Sequence, residues 1–333
     1  MNILTREDNN IEDLRSRYPG GLHFVVGDTH GEAPTLIALF EKIRFDPEKD
    51  FAYFVGDYNA GSHVRMLLEY ISQYYSGDYA EPGCHLIRGN HERELWPEYP
   101  LENLPDIMVL RGKQLNYYLV HAGMVTKAFD LINRDMAEHP QEKVFAYRLD
   151  ESVAGYDAPL RKIIWSRRGL YSQRSKWHVW PSEESLRQNR ACIIHGHTPY
   201  CFLMREWSGY GDRSLFLKNQ HIWFSEDLQS FNIDANIKGH YQNGEGERGL
   251  ACVCLEVLEE TASRHGGYLS VEGIQEEENG VFASPYIYNA TSKIDGDIKR
   301  ITDAKLPMKT ILLGEDGEPR IVQPGDQEQK FHD

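Results

Sequence analysis

The sequence predicts an α/β fold in which a second sheet packs on the first, and three features carry that expectation. Near the start, short apolar runs alternate with helical spacings in the order β-α-β-α-β. Each of those runs ends in a polar, Gly-containing turn. Further along, runs of β-branched and aromatic residues supply a second set of strands.

The first strand is expected over residues 22–26, ending at Gly27. Leu36, Ile37, Phe40 and Ile43 then share one face of a helix with Pro34 near its start. Residues 51–55 form the next strand candidate, ending at Gly56. Val64, Leu67, Leu68 and Ile71 repeat the i, i+3, i+4, i+7 spacing of an amphipathic helix. A short strand over residues 85–87 precedes Arg88 and Gly89. Strands are then expected over residues 115–120, 191–194, 221–224, 230–233 and 250–257. Residues 242–249 read as a turn, and residues 310–313 and 321–322 as a terminal hairpin. The organisation expected is an N-terminal extension over 1–20, a catalytic domain over 21–257 and an acidic C-terminal extension over 258–333.

At 333 residues and 38.5 kDa, the chain can bury a large core without disulfides. A hydrophobic fraction of 41% excludes a disordered chain, even at a net charge of −15. The acidic balance argues against an extended nucleic-acid surface, which needs a basic face to release counterions. Five cysteines without a CxxC pair fit free thiols in a reducing compartment. The first residues lack the apolar core of a secretory signal, and no stretch approaches the ~20 apolar residues of a membrane span. A cytoplasmic protein without membrane partners is therefore expected; oligomeric state is not legible.

The chemistry-bearing residues fall at successive strand ends. Asp28 and His30 lie two residues apart in GDTHG, so an extended backbone puts both on one side. Asp57 in GDYNAG, Asn90 and His91 in RGNHE, His121 in HAG and His197 in HGHTP follow later strands, each beside a glycine that permits a tight turn. Taken singly, each is as well explained by a turn or a hydrogen-bonded histidine. Together they form an N/O ligand set that suits Mn, Fe or Zn better than Ca or Mg. A carboxylate shared by two cations ~4 Å apart can clamp the attacking and leaving oxygens of phosphoryl transfer.

In this order, the five motifs resemble those of the calcineurin-like metallophosphoesterases, in the branch of the phosphoprotein phosphatases, bacterial phosphatases and diadenosine-polyphosphate hydrolases. The resemblance covers about residues 21–257. It implies a four-layer fold, a β-sandwich flanked by helices. It also implies a first metal at Asp28, His30 and Asp57, and a second at Asp57 as bridge, Asn90, His121 and His197. Two such ions, most simply Mn, would lower the pKa of a water toward neutrality and polarise the phosphoryl group. His91, next to Asn90, is the natural general acid for the leaving alkoxide.

One departure stands out. Relatives carry Asp-Arg where this chain has Ala60 and Gly61, which can neither orient an imidazole nor pair with a phosphate. Arg167 in IIWSRRG is the candidate phosphate ligand, with Arg168 as alternate. Arg65 reads as a solvated helix-face residue, Arg88 as structural, and Glu92 as a brace of the loop. Asp234 is either a group near His197 or a plain strand-end Asp, and His195 reads as a satisfied strand histidine. Trp177, His178 and Trp180 are expected in the core rather than over substrate. Residues 275–279 read as a solvated face, and Cys252 and Cys254 as neighbours on one strand face. The activity expected is hydrolysis of phosphate monoesters, with a phosphorylated protein or small phosphate ester as partner. Hydrolysis of a dinucleoside polyphosphate or other anhydride or diester is the alternative, and a metal-bearing regulatory protein with impaired catalysis is the third reading.

Overall fold

A computed structural model of the 333-residue chain describes residues 4–61, 63–92, 99, 101, 103–150, 163, 180–199, 213–217, 222–235, 237, 249–276, 281–285, 294–303 and 307–324. The turn expected at 242–248, and Arg167, Arg168, Trp177 and His178, lie outside the described residues.

Helix α1 (Leu4–Arg17) precedes β1 (His23–Val26), α2 (Ala33–Ile43), β2 (Phe51–Phe54), α3 (Val64–Tyr74) and β3 (Gly83–Leu86). The three strands run parallel in the order β1-β2-β3, with Val26 opposite Phe54 and Phe54 opposite Leu86. Their carboxyl ends therefore share one edge, and Asp28, Asp57 and Asn90 follow them there. Alternation fixes the two faces. Phe24, Val26, Ala52, Phe54 and Leu86 point outward and bury against Leu36, Phe40, Leu67 and Ile71 of α2 and α3. Each of the Phe, Val, Leu and Ile side chains among them is worth about 1.5–3 kcal/mol on burial. Val25, Tyr53, Val55 and Ile87 point to the other side, into the core between the sheets.

The second sheet begins with β4 (Ile107–Arg111), β5 (Asn116–Val120) and, after α4 (Thr126–Glu138), β6 (Val144–Leu149). After α5 (Glu183–Gln188) come β7 (Ala191–His195), β8 (Ser214–Leu217), β9 (Ile222–Ser225) and β10 (Ser230–Asn232). Strands β5, β7 and β10 are mutually parallel, so His121, His197 and Asp234 follow them toward one edge. Met108, Leu119, Ile194 and Phe231 face the first sheet, while Val109, Tyr118, Ile193 and Tyr147 bury against Phe129 and Ile132 of α4. The result is a helix–sheet–sheet–helix stack of four layers.

The apolar run expected as strand through Val257 divides in two. Strand β11 (Gly249–Cys254) stops at Cys254 and α6 (Leu255–Arg264) begins at the next residue. Its 3–4 spacing explains the change, since Leu255, Leu258 and Ala262 pack together between the sheets. Cys252 and Cys254 share the outward face of β11. Then come α7 (Val271–Glu276), β12 (Val281–Pro285), α8 (Lys299–Thr302), β13 (Lys309–Leu313) and β14 (Pro319–Val322). These late strands join both sheets, whose orders are β12-β11-β1-β2-β3 and β14-β13-β6-β4-β5-β7-β10-β9-β8. Buried Lys309 fastens β13, its Nζ donating to Asp135 Oδ2 at 2.7 Å beside the Tyr147 hydroxyl that donates to the same oxygen at 2.7 Å.

Candidate metal centre

The six candidate ligands, Asp28, His30, Asp57, Asn90, His121 and His197, are all buried at the common sheet edge. Ligand atoms of His30, Asp57 and His91 lie within 4.8 Å of one another, as do those of Asp57, His121 and His197. Asp57 belongs to both groups. Its Oδ2 is 3.7 Å from His30 Nε2 and 3.8 Å from His91 Nε2, whereas its Oδ1 is 3.2 Å from His121 Nε2. Asp28 sits on the His30 side, with Oδ2 at 4.0 Å from His30 Nε2, and is tied to the last motif by accepting the His197 backbone N–H at 2.8 Å.

His121 shows how the fold aims these groups. Its Nδ1–H donates to the Val55 carbonyl at 2.8 Å, which leaves Nε2 with a lone pair directed at the centre. That nitrogen faces Asn90 Oδ1 at 2.9 Å, His197 Nδ1 at 3.1 Å and Asp57 Oδ1 at 3.2 Å. Asn90 Oδ1 and Asp57 Oδ1 offer no proton to that lone pair, so a cation, or a proton on His197 Nδ1, relieves the crowding of these acceptors.

Backbone conformation contributes as much as side-chain identity. His30, Asp57 and His197 have φ of 43°, 60° and 66°, in the left-handed region that non-glycine residues avoid. Glycines make room beside them. A Cβ on Gly196 would stand 1.7 Å from Asp28 Oδ1, and one on Gly89 would stand 2.2 Å from Asp57 Oδ1. The loop after β2 is gripped by Glu92. Its Oε2 accepts the N–H groups of Asp57 and Gly89, both at 2.8 Å, and its Oε1 those of Tyr58 at 2.6 Å and Asn59 at 2.9 Å.

Divalent cations fit this donor set. Asp28 Oδ1 is buried and accepts no hydrogen bond from a described residue. Burial first, then the charges of Asp234 and Asp57, raise the Asp28 carboxyl well above its ordinary range. A carboxyl with a raised folded pKa favours the fold most below its ordinary 3.8, and that contribution is lost as pH rises through the folded value. The metal-free protein is thus penalised at high pH, and cations that hold Asp28 ionised remove the penalty. Thermal melts are expected to show a larger upward shift on adding Mn²⁺ at pH 8 than at pH 5. Equal shifts would show that Asp28 is not linked to metal.

The remaining sequence candidates separate cleanly. Arg88 makes a bidentate pair with buried Asp106, at 3.0 and 2.6 Å, and is structural. Exposed Arg65 pairs with Glu69 at 2.8 Å on its own helix. His195 is fully buried, its ring edge-on to Trp180, and burial lowers its pKa to about 4. Asp234 lies near enough to Asp28 to act on its ionisation, a placement its strand-end position alone did not decide. Ala60 is buried, and Gly61 has φ +114° with a Cβ position 1.8 Å from the His30 carbonyl oxygen. An arginine therefore cannot stand at 61 without displacing His30. Gly61→Ala is expected to cost at least ~1–3 kcal/mol from backbone strain alone, read as a lower melting temperature. Wild-type stability in that variant would mean the loop relaxes freely.

A buried array of imidazoles and carboxylates at the carboxyl edge of a two-sheet sandwich is a donor set suited to divalent cations. The chain belongs to the calcineurin-like phosphoesterase family, whose model matches residues 24–253. Among curated proteins it is similar to the symmetrical bis(5'-nucleosyl)-tetraphosphatase of Yersinia pseudotuberculosis, at 26% identity over 148 residues, covering 37% of this chain and 49% of that one. The chain thus spans about half the length of the curated relatives it matches. Among solved structures, similarity extends to a protein serine/threonine phosphatase from Saccharomyces cerevisiae, at 15% identity and a TM-score of 0.42, covering 88% of this chain and 90% of that one. A crystal structure provisionally described as a diadenosine tetraphosphatase is similar at 14% identity and a TM-score of 0.41, covering 81% of this chain and 96% of that one. Among the described residues, no helix is long and apolar enough to cross a membrane.

Proposed function

We propose that this chain is a di-metal phosphoric ester hydrolase acting on phosphate monoesters, borne by a phosphoprotein or a small molecule. The observation that carries the reading is Asp57, whose two oxygens face two separate histidine groups. Asp28, His30 and Asp57 hold one ion in this reading, and Asp57, Asn90, His121 and His197 hold the other. The mixed N/O set favours Mn, with Fe or Zn as alternatives. When bound, the ion pair supplies an activated water and withdraws charge from the phosphoryl oxygens.

The protein's own groups do the rest. His91, its Nε2 beside Asp57 Oδ2, delivers a proton to the leaving oxygen, a role worth about 10²–10⁴-fold. Glu92 and the left-handed turns hold the acceptor atoms in place before substrate arrives. Arg167 is assigned to the substrate phosphate on sequence grounds. Residues 21–257 carry this machinery, between an extension over 1–20 and another over 258–333. Cys84, Cys192, Cys252 and Cys254 are all free and buried, which accords with a cytoplasmic location.

Purified protein is expected to release nitrophenol from its phosphate ester in proportion to added Mn²⁺. Metal-loaded protein without that activity would refute the monoesterase reading. Gly61 and the curated relatives favour a second reading. Without a guanidinium at position 61, a phosphoanhydride, with its better leaving group, makes the smaller demand on the site. Chromatography of diadenosine tetraphosphate digests separates the two, since an unchanged substrate peak excludes the anhydride.

A further inference from the structure

Beside the metal centre, Glu32 and His63 form a pair that the roles above leave unused. Glu32 follows the GDTHG motif and is 95% buried, given its 5% exposure. Its Oε2 is enclosed and accepts no hydrogen bond from a described residue. His63 stands at the N-cap position of α3 without a side-chain capping bond, and its Nδ1 is likewise enclosed and accepts no hydrogen bond from a described residue. The two atoms are 3.7 Å apart, one small side-chain rotation from a hydrogen bond. The His63 ring is 36% exposed while Nδ1 is enclosed, so its exposure falls on the far edge, which carries Nε2.

The segment bearing His63 is packed onto candidate ligand His30. A Cβ on Gly61 would meet the His30 carbonyl oxygen at 1.8 Å, and one on Gly31 would meet Val64 Cγ2 at 3.0 Å and Val64 N at 3.1 Å. An imidazole with one nitrogen buried against a carboxylate and the other open to solvent is oriented to donate outward. The pair thus offers a hydrogen-bond donor at the rim of a centre whose substrates are anions.

We propose that His63, oriented by Glu32, binds the non-bridging phosphoryl oxygens of the substrate, a role that rests on the phosphoesterase reading above. The bound ring lies between two anions and gives one N–H to each, Nδ1–H to Glu32 and Nε2–H to phosphate. Such charge-assisted bonds are roughly twice as strong as neutral ones. The arrangement also accounts for tolerance of Gly61, because the phosphate is held from two residues further along the same segment. His63 binds and positions; it takes no proton from the reaction.

The test uses the full-length, Mn-loaded protein and inorganic phosphate as probe. His63→Ala is expected to weaken phosphate binding, measured by titration calorimetry, by about tenfold or more, in line with loss of a charge-assisted hydrogen bond. In steady-state hydrolysis KM should rise by a similar factor while kcat changes less. His63→Gln, which keeps an N–H donor near the position of Nε2, should restore part of the affinity, and Glu32→Gln should weaken binding less than His63→Ala. Metal content and melting temperature are expected to match wild type in both His63 variants. Unchanged phosphate affinity in His63→Ala, or a loss that follows lost metal, overturns the proposal. If wild type binds phosphate through His63 yet hydrolyses no ester, the functional reading fails and this site stands. If hydrolysis proceeds with the same KM in His63→Ala, the site fails and the functional reading stands.

Discussion

On the proposed di-metal reading, Asp57→Asn is expected to lower the number of metal ions bound per chain from two to one or none, and to reduce phosphoesterase activity by more than about 100-fold. Substituting a residue that merely supports a metal ligand costs about 10–100-fold, and a ligand shared by two ions must exceed that. The reason is geometric. Oδ2 faces His30 and His91 while Oδ1 faces His121, so no other candidate serves both groups. Asparagine keeps the volume but turns one of those oxygens into an N–H₂ donor without charge. His121→Ala, by comparison, should affect one ion only. Metal analysis beside steady-state rates checks both, and an Asp57→Asn protein that keeps two ions would remove the shared-ligand assignment.

The second large effect is on stability. Glu92→Ala is expected to destabilise the protein by about 3–5 kcal/mol, since buried N–H groups left without an acceptor cost about 1–3 kcal/mol each and removal of the buried carboxyl offsets part of that sum. Four backbone N–H groups, those of Asp57, Tyr58, Asn59 and Gly89, lose their common acceptor. Against this stands the relief of a carboxyl whose pKa is raised, by burial and then by the charge of Asp57. The four bonds win, because hydrogen bonds to a charged group contribute about 1.5–3 kcal/mol each. Glu92→Gln preserves size but must turn an amide N–H₂ toward two of the donors, so it should fall between wild type and alanine. Urea denaturation is the measurement. An alanine variant as stable as wild type would show that water replaces the carboxylate without cost.

The strands that display the candidate ligands were legible because each is an apolar run cut off by a glycine and a polar residue, as at Val26-Gly27-Asp28. Helices α2 and α3 were legible from the spacing of Leu36, Phe40, Leu67 and Ile71. What escaped was set by partners remote in sequence. Residues 255–257 continue an apolar run that suits either element, and packing between the sheets selected helix. Helix α4 carries the same 3–4 spacing in Phe129, Ile132 and Met136, whereas strand β6, buried on both faces, is fixed by packing Phe145 and Tyr147 against that helix. Within the site, residue types were readable but conformations were not. Nothing in the letters shows that His30, Asp57 and His197 sit in left-handed turns. The confinement of Arg88 by Asp106 likewise depends on a residue 18 positions away.

The net charge of −15 takes on a different meaning beside this centre. Acidity that argues against a long phosphate track is compatible with one phosphoryl group, provided the local field comes from bound cations.

The late strands also bear on how the chain acquires its shape. During synthesis, β1, β2 and β3 emerge early, yet β1 remains an open edge until residues 249–254 arrive to pair with it. The second sheet waits longer, since β13 adds to β6 only after residue 309. Contacts of such long sequence separation close slowly, and an unpaired apolar strand edge invites association with other chains. A nascent chain halted before residue 249 would thus carry all six candidate ligands, the last being His197, with β1 still exposed along one side. For this protein the vulnerable interval falls after the chemistry-bearing residues have been made and before the strand that shields their sheet has appeared.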